Sequence, residues 1–126
     1  MDDYDPSRAI NPTEWLALPE SDRIDMVYAF HEYSGEENQE GSETMHATIH
    51  VLVENHIALG VEPVPQTIAK LLRQGLNRHD AIHAVGAVLS GDIFNLINKG
   101  DVTWDQTHYR RRLTKLTAKR WRKGQW

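Results

Sequence analysis

The chain is predicted to fold as an all-α, single-domain bundle of about five helices, mostly antiparallel neighbours. Three observations predict it. Apolar residues recur three and four apart along several segments, which is the helical period. Residue types that cap and stop helices bracket those segments. No stretch alternates β-branched and polar residues over a useful length, so no strand competes. The 126 residues suit one compact domain, which should bury roughly two-thirds of its unfolded surface.

Residues 1–10 read as a mobile acidic arm, ahead of a bundle core over 11–100 and a basic C-terminal helix over 101–126. Asn11 is placed as an N-cap with Pro12 at the first helical position, opening a short turn that carries Trp15, Leu16 and Leu18 inward. From Pro19 to about Tyr33 the pattern is helical, with Ile24, Val27, Tyr28 and Phe30 as apolar contacts and His31 near the end. Ser34-Gly35 stops it, and the polar stretch 36–42 reads as a loop. Glu43 to Leu59 is helical again through Met45, Ile49, Leu52, Val53 and Ile57, and Gly60 suits the left-handed position after it. Beyond Pro63 and Pro65 a shorter helix carries Ile68, Leu71 and Leu72 to about Gln74, where Gly75 ends it. Asn77 caps the next helix, which runs to about Asn98 through Ile82, Val85, Leu89, Ile93, Leu96 and Ile97. Thr103-x-x-Gln106 is a capping-box pattern for a final basic helix to about Arg122.

Charge divides the chain unevenly. Residues 1–43 hold twelve acids and two bases, 44–100 hold four of each, and 101–126 hold eight bases and two acids. The oppositely charged ends can attract one another within a chain or across a homodimer. Arg110-Arg111-Arg112 and Lys119-Arg120, interleaved with Tyr109 and Trp121, also match a nucleic-acid-binding pattern. More commonly such a helix packs through Leu113, Leu116 and Trp121 and leaves its charges in solvent. Cysteine is absent, which excludes disulfides, thiolate catalysis and cysteine-ligated metal sites. The acidic start Met1-Asp2-Asp3 is unlike a signal peptide, and no apolar run approaches the ~20 residues of a membrane span. A soluble, cytoplasmic protein is the expectation.

The chemistry concentrates in two histidine pairs, His46/His50 and His79/His83. Residues four apart differ by about 40° around a helix and about 6 Å along it, so each pair shares one face. If the helices run up, down and up, both pairs fall at one end of the bundle, with His31 arriving there too and His56 and His108 lying toward the other end. His46, His50, His79 and His83 are therefore the candidate ligands of one divalent metal. Imidazole suits zinc, nickel, copper and iron(II); zinc is the leading candidate, with nickel or iron as alternatives. Glu54 extends the His46/His50 stripe by a turn, and with His31 it is expected to support the ligands or supply a base. Gly86, Ala87 and Ser90 continue the His79/His83 face with small side chains, leaving either room for a ligand or a close helix approach. Two helix N-termini pointing the same way would also favour an anion.

Other reactions have weaker templates. His46-Ala47-Thr48-Ile49-His50 has alanine where zinc proteases carry their glutamate, and the Glu-x-x-His pairs of di-iron bundles are missing. The His79-Asp80 dipeptide, with His50 upstream and Asp92 or Asp101 downstream, resembles in order the helical HD-type metal phosphohydrolases, which implies a metal-dependent hydrolase. A closer resemblance rests on Trp15-Leu16-Ala17-Leu18, Arg23-Ile24, Ala29-Phe30-His31, the H-A-x-I-H-x-x-V-E-N run from His46 to Asn55, and Gly75-Leu76-x-Arg78-His79-x-Ala81-Ile82-His83-Ala84. Over about residues 14–98 these resemble a family of small bacterial helical proteins sharing a domain of unknown function. The resemblance implies that His31, His46, His50, Glu54, His79 and His83 are shared polar positions, and it implies no reaction. Metal binding at the histidines is the leading expectation. A non-catalytic interaction module, whose histidines form a structural hydrogen-bond network, is the alternative.

Overall fold

A computed structural model describes residues 3–34, 43–99 and 106–126, with side chains for 3–30, 45–93 and 106–126. Among the described residues every regular element is a helix, and there are seven rather than about five: α1 (Pro12–Ala17), α2 (Glu20–Ser34), α3 (Glu43–Leu59), α4 (Val64–Arg73), α5 (Arg78–Lys99), α6 (Gln106–Lys115) and α7 (Ala118–Arg122). Two local effects raise the number. The opening turn is a helix in its own right, capped by Asn11 Oδ1, which accepts from Glu14 N at 3.1 Å. The basic C-terminal helix is broken at Leu116-Thr117, because Thr117 takes an extended conformation and its hydroxyl caps α7 by accepting from Arg120 N. A threonine side chain competes well with helix continuation in this way.

The remaining boundaries follow the local chemistry. Gly60 and Gly75 end α3 and α4 with φ of +69° and +99°, a region that costs other residues more. Asn77 Oδ1 accepts from Asp80 N at 2.8 Å and so starts α5. The loop at 36–42, Asp101, Thr103 and the side chains of His31, Leu96 and Ile97 lie outside what is described. Among the described residues no helix is long and apolar enough to cross a membrane.

Two apolar clusters hold the helices together. The larger gathers Val53 of α3, Ile68 and Leu71 of α4, Ile82, Val85 and Val88 of α5, and Tyr109, Leu113 and Leu116 from the C-terminal stretch. The basic segment is therefore anchored by its apolar residues, as its pattern suggested. The smaller cluster packs Tyr4, Trp15, Val27, Ala47 and Val51. Asn55 organises its polar edge: Oδ1 accepts from Trp15 Nε1 at 2.8 Å and from Arg23 Nη1 at 3.0 Å. Arg23 also donates to the Leu16 and Leu18 carbonyls, so one guanidinium satisfies the chain ends between α1 and α2 and fixes both against α3. Tyr4 is only 5% exposed although it falls in the stretch read as an arm. The Pro6 carbonyl accepts from Arg78 Nη1 at 3.0 Å, which ties this stretch to the start of α5.

Candidate metal centre

α3 and α5 bring the two histidine pairs together. Ring centroids are 4.3 Å apart for His79 and His83, 5.4 Å for His50 and His79, and 5.3 Å for His50 and His83. One ring nitrogen from each of His50, His79 and His83 lies within 4.8 Å of the others, so these three form a group that can hold a metal ion. Zinc–nitrogen bonds of ~2.0–2.1 Å set tetrahedral nitrogens roughly 3.3 Å apart, so the rings need draw in by no more than about 1.5 Å. The Nε2 atoms of all three are buried from solvent. His46 stands beside the group, with its ring 5.2 Å from His83 and 6.1 Å from His50.

The helices meet in a different order from the one expected. Moving along α3, His46 faces His83, His50 faces both His83 and His79, and Glu54 reaches Arg78. The partners step backward along α5, the order of opposed rather than co-directional helices. Convergence is preserved because the histidines sit near the crossing. The anion site that two co-directional helix N-termini would have made loses its premise.

A buried polar chain stands behind His50. Arg78 donates to both oxygens of Glu54, from Nη2 to Oε1 at 2.7 Å and from Nη1 to Oε2 at 2.9 Å, in the two-pronged geometry that makes arginine–carboxylate pairs strong. Glu54 is 2% exposed, and this pairing lets a carboxylate be buried there. Tyr4 Oη donates to Glu54 Oε2 at 2.6 Å and lies 2.7 Å from His50 Nδ1. Burial first, and then the Glu54 charge, push the Tyr4 phenol well above its ordinary range, so it keeps its proton.

The Tyr4–Glu54 hydrogen bond assigns a hydrogen to one nitrogen of His50. A phenol has one hydrogen, and the carboxylate can only accept. With the Tyr4 hydrogen directed to Glu54, His50 Nδ1 must carry its own hydrogen and donate to the phenol oxygen. In the neutral ring Nε2 then presents its lone pair, the state a metal ligand needs. Metal-bound histidines commonly donate their other nitrogen to a carboxylate or carbonyl; here Tyr4 stands between histidine and carboxylate. Glu54 therefore supports His50 at one remove, through a residue the sequence did not single out. Arg78 falls within the Gly75–Ala84 motif, but spacing does not reveal its partner.

The other candidates lie elsewhere. His56 packs near Tyr109, with ring centroids 6.0 Å apart, and burial lowers its pKa. Asp92, considered as a downstream metal ligand, instead accepts from Arg112 Nη1 at 2.8 Å and lies 3.4 Å from His108 Nδ1. It fastens α6 to α5, away from the three-histidine group, and this removes the order-based likeness to HD-type enzymes at that residue. Asp80 is exposed in the first turn of α5.

Small residues on α5 turn out to serve both of the roles they allowed. A Cβ on Gly86 would stand 3.1 Å from Ile49 Cγ2, so α3 and α5 approach closely there. Gly86, Ala87 and Ser90 also line a cavity that reaches His46, His50 and His83. Compared with family models, curated proteins and solved structures, the chain matches none.

Proposed function

We propose that this protein is a divalent-metal-binding helical bundle in which His50, His79 and His83 are the ligands and zinc is the preferred ion. The observation that carries the reading is the three-histidine group itself, with one nitrogen of each within 4.8 Å of the rest. The hydrogen-bonded chain to His50 supports it, because it fixes the ring in the tautomer that ligates through Nε2. Neutral imidazole donors without thiolates suit zinc, and leave nickel and iron as competitors.

Three protein ligands leave a fourth position. Closed four-ligand sites are structural, whereas three-ligand sites with an open position are the catalytic kind. His46 sits next to His83 and His50, close enough to hydrogen-bond a water on the metal or to move in as the fourth ligand. The first arrangement would make the centre hydrolytic in character, since zinc lowers the pKa of bound water to about 7. The second would make it structural, as the four-histidine expectation has it.

Cobalt(II) titration of metal-free protein tests the reading and separates the two arrangements. One equivalent should produce visible absorption of tetrahedral intensity that zinc displaces. In the His46→Ala variant the band should persist if the fourth ligand is water. No saturable band in the wild-type protein would overturn the proposal.

A further inference from the structure

A cavity of about 390 Å³ opens beside the three-histidine group. It is at the lower end of the ~300–1,000 Å³ that small-molecule pockets occupy. Its polar end is imidazole, from His46, His50 and His83. Ile49 and Ile82 form apolar sides, and Trp121 and Trp126 supply an aromatic wall, with their ring centroids 4.9 Å apart. Among the described residues lining it, no side chain carries a carboxylate, a guanidinium or an ammonium group.

We infer that this cavity binds a small molecule with an apolar, ring-sized body and an anionic oxygen head, the head directed at the histidine end and the body against the tryptophans. The inference rests on the metal reading and names the ligand class of that site. Charge decides the orientation. With a divalent ion on His50, His79 and His83, the histidine end is the strongly charged part of the described lining side chains, and its sign is positive. An oxygen anion gains there and a cation does not. Shape and polarity decide the body: the far wall is aromatic and offers a ring both buried area and favourable edge or stacked contacts.

The chain also explains why the space exists. Gly86 lets α5 approach Ile49 closely, while Ala87 and then Ser90, one helical turn beyond Gly86, keep the rest of that face low. A large side chain at position 87 would occupy the space that the ring is proposed to fill.

Two zinc-chelating probes with one head test this: benzohydroxamate, which carries a ring, and acetohydroxamate, which carries only a methyl. Zinc stoichiometry is measured first, and probe affinity is then measured by calorimetry on the zinc-loaded protein. Benzohydroxamate should bind about tenfold or more tighter than acetohydroxamate, from burial of the ring. Ala87→Phe should abolish that preference while zinc stoichiometry stays at about one per chain. Trp126→Ala, at an exposed position outside both apolar clusters, should reduce the preference several-fold. Zinc binding with equal affinity for the two probes, or a preference that both variants leave intact, would overturn the cavity inference and leave the metal centre standing. Absence of zinc uptake would overturn both.

Discussion

The Tyr4 hydroxyl oxygen lies 2.7 Å from His50 Nδ1, joining the N-terminal stretch to the second turn of α3. Because the same hydroxyl donates to Glu54, the contact selects which nitrogen of His50 carries the proton. A residue near the start of the chain thereby sets the chemistry of a histidine 46 positions later.

Removing that hydroxyl should weaken the metal without unfolding the protein. Tyr4→Phe keeps the ring that packs against Trp15 and Phe30 and deletes the hydroxyl with its links to His50 and Glu54. Zinc affinity should fall by about 10–100-fold, the usual effect of losing a partner behind a ligand. Competition with a chromophoric chelator reads it; an unchanged affinity would show that the link does not tune His50.

The histidines should divide into three ranks. His50→Ala, His79→Ala and His83→Ala should each abolish stoichiometric zinc, and His46→Ala should weaken it. His108→Ala should leave it unchanged, since His108 faces Asp92. Metal analysis of the five variants after dialysis checks this, and equal loss in all five would refute the assignment.

The Glu54–Arg78 pair should be costly to break on one side. The two side chains are 1% and 10% exposed, so Arg78→Met leaves a buried carboxylate without its counter-charge. Metal-free protein should lose about 3–5 kcal/mol. Glu54→Gln combined with Arg78→Met should cost less than the sum of the single changes, because neither charge is then stranded. Urea denaturation of the four proteins measures the coupling; simple additivity would contradict it.

Acid should destabilise the fold partly through His56. Burial lowers its pKa in the folded protein from the ordinary 6.5, so the unfolded chain takes up its proton at a higher pH than the native state does. The contribution is complete above about pH 6.5 and is lost as pH falls through the lowered native value. His56→Gln should flatten the stability profile below pH 6.5 relative to wild type. Parallel profiles would show that His56 does not contribute.

Helix ends and the histidine pairs were legible because short-range chemistry writes them. Asn11, Gly60, Gly75 and Asn77 act within a few residues of themselves, and a four-residue spacing places two imidazoles on one face whatever surrounds them. The break at Thr117 is masked in the sequence, because apolar spacing continues through Leu116 and Trp121 past one capping hydroxyl. Tyr4 carried no usable signal: it sits in an acidic, aperiodic stretch, and its partners are 46 and 50 residues away. The relative direction of α3 and α5 is hidden from the sequence for a related reason. Short connections suggest alternation, but how the brief α4 lies between two longer helices depends on the core at Ile68 and Leu71, which spacing does not specify.

The most direct test of the metal centre is zinc stoichiometry of untagged protein, purified without metal-affinity resin and dialysed against a weak chelator. The three-histidine site predicts about one zinc per chain, either retained or taken up on titration to a sharp endpoint. A helical, normally folded protein that retains no metal and takes up no zinc, nickel or iron would contradict it.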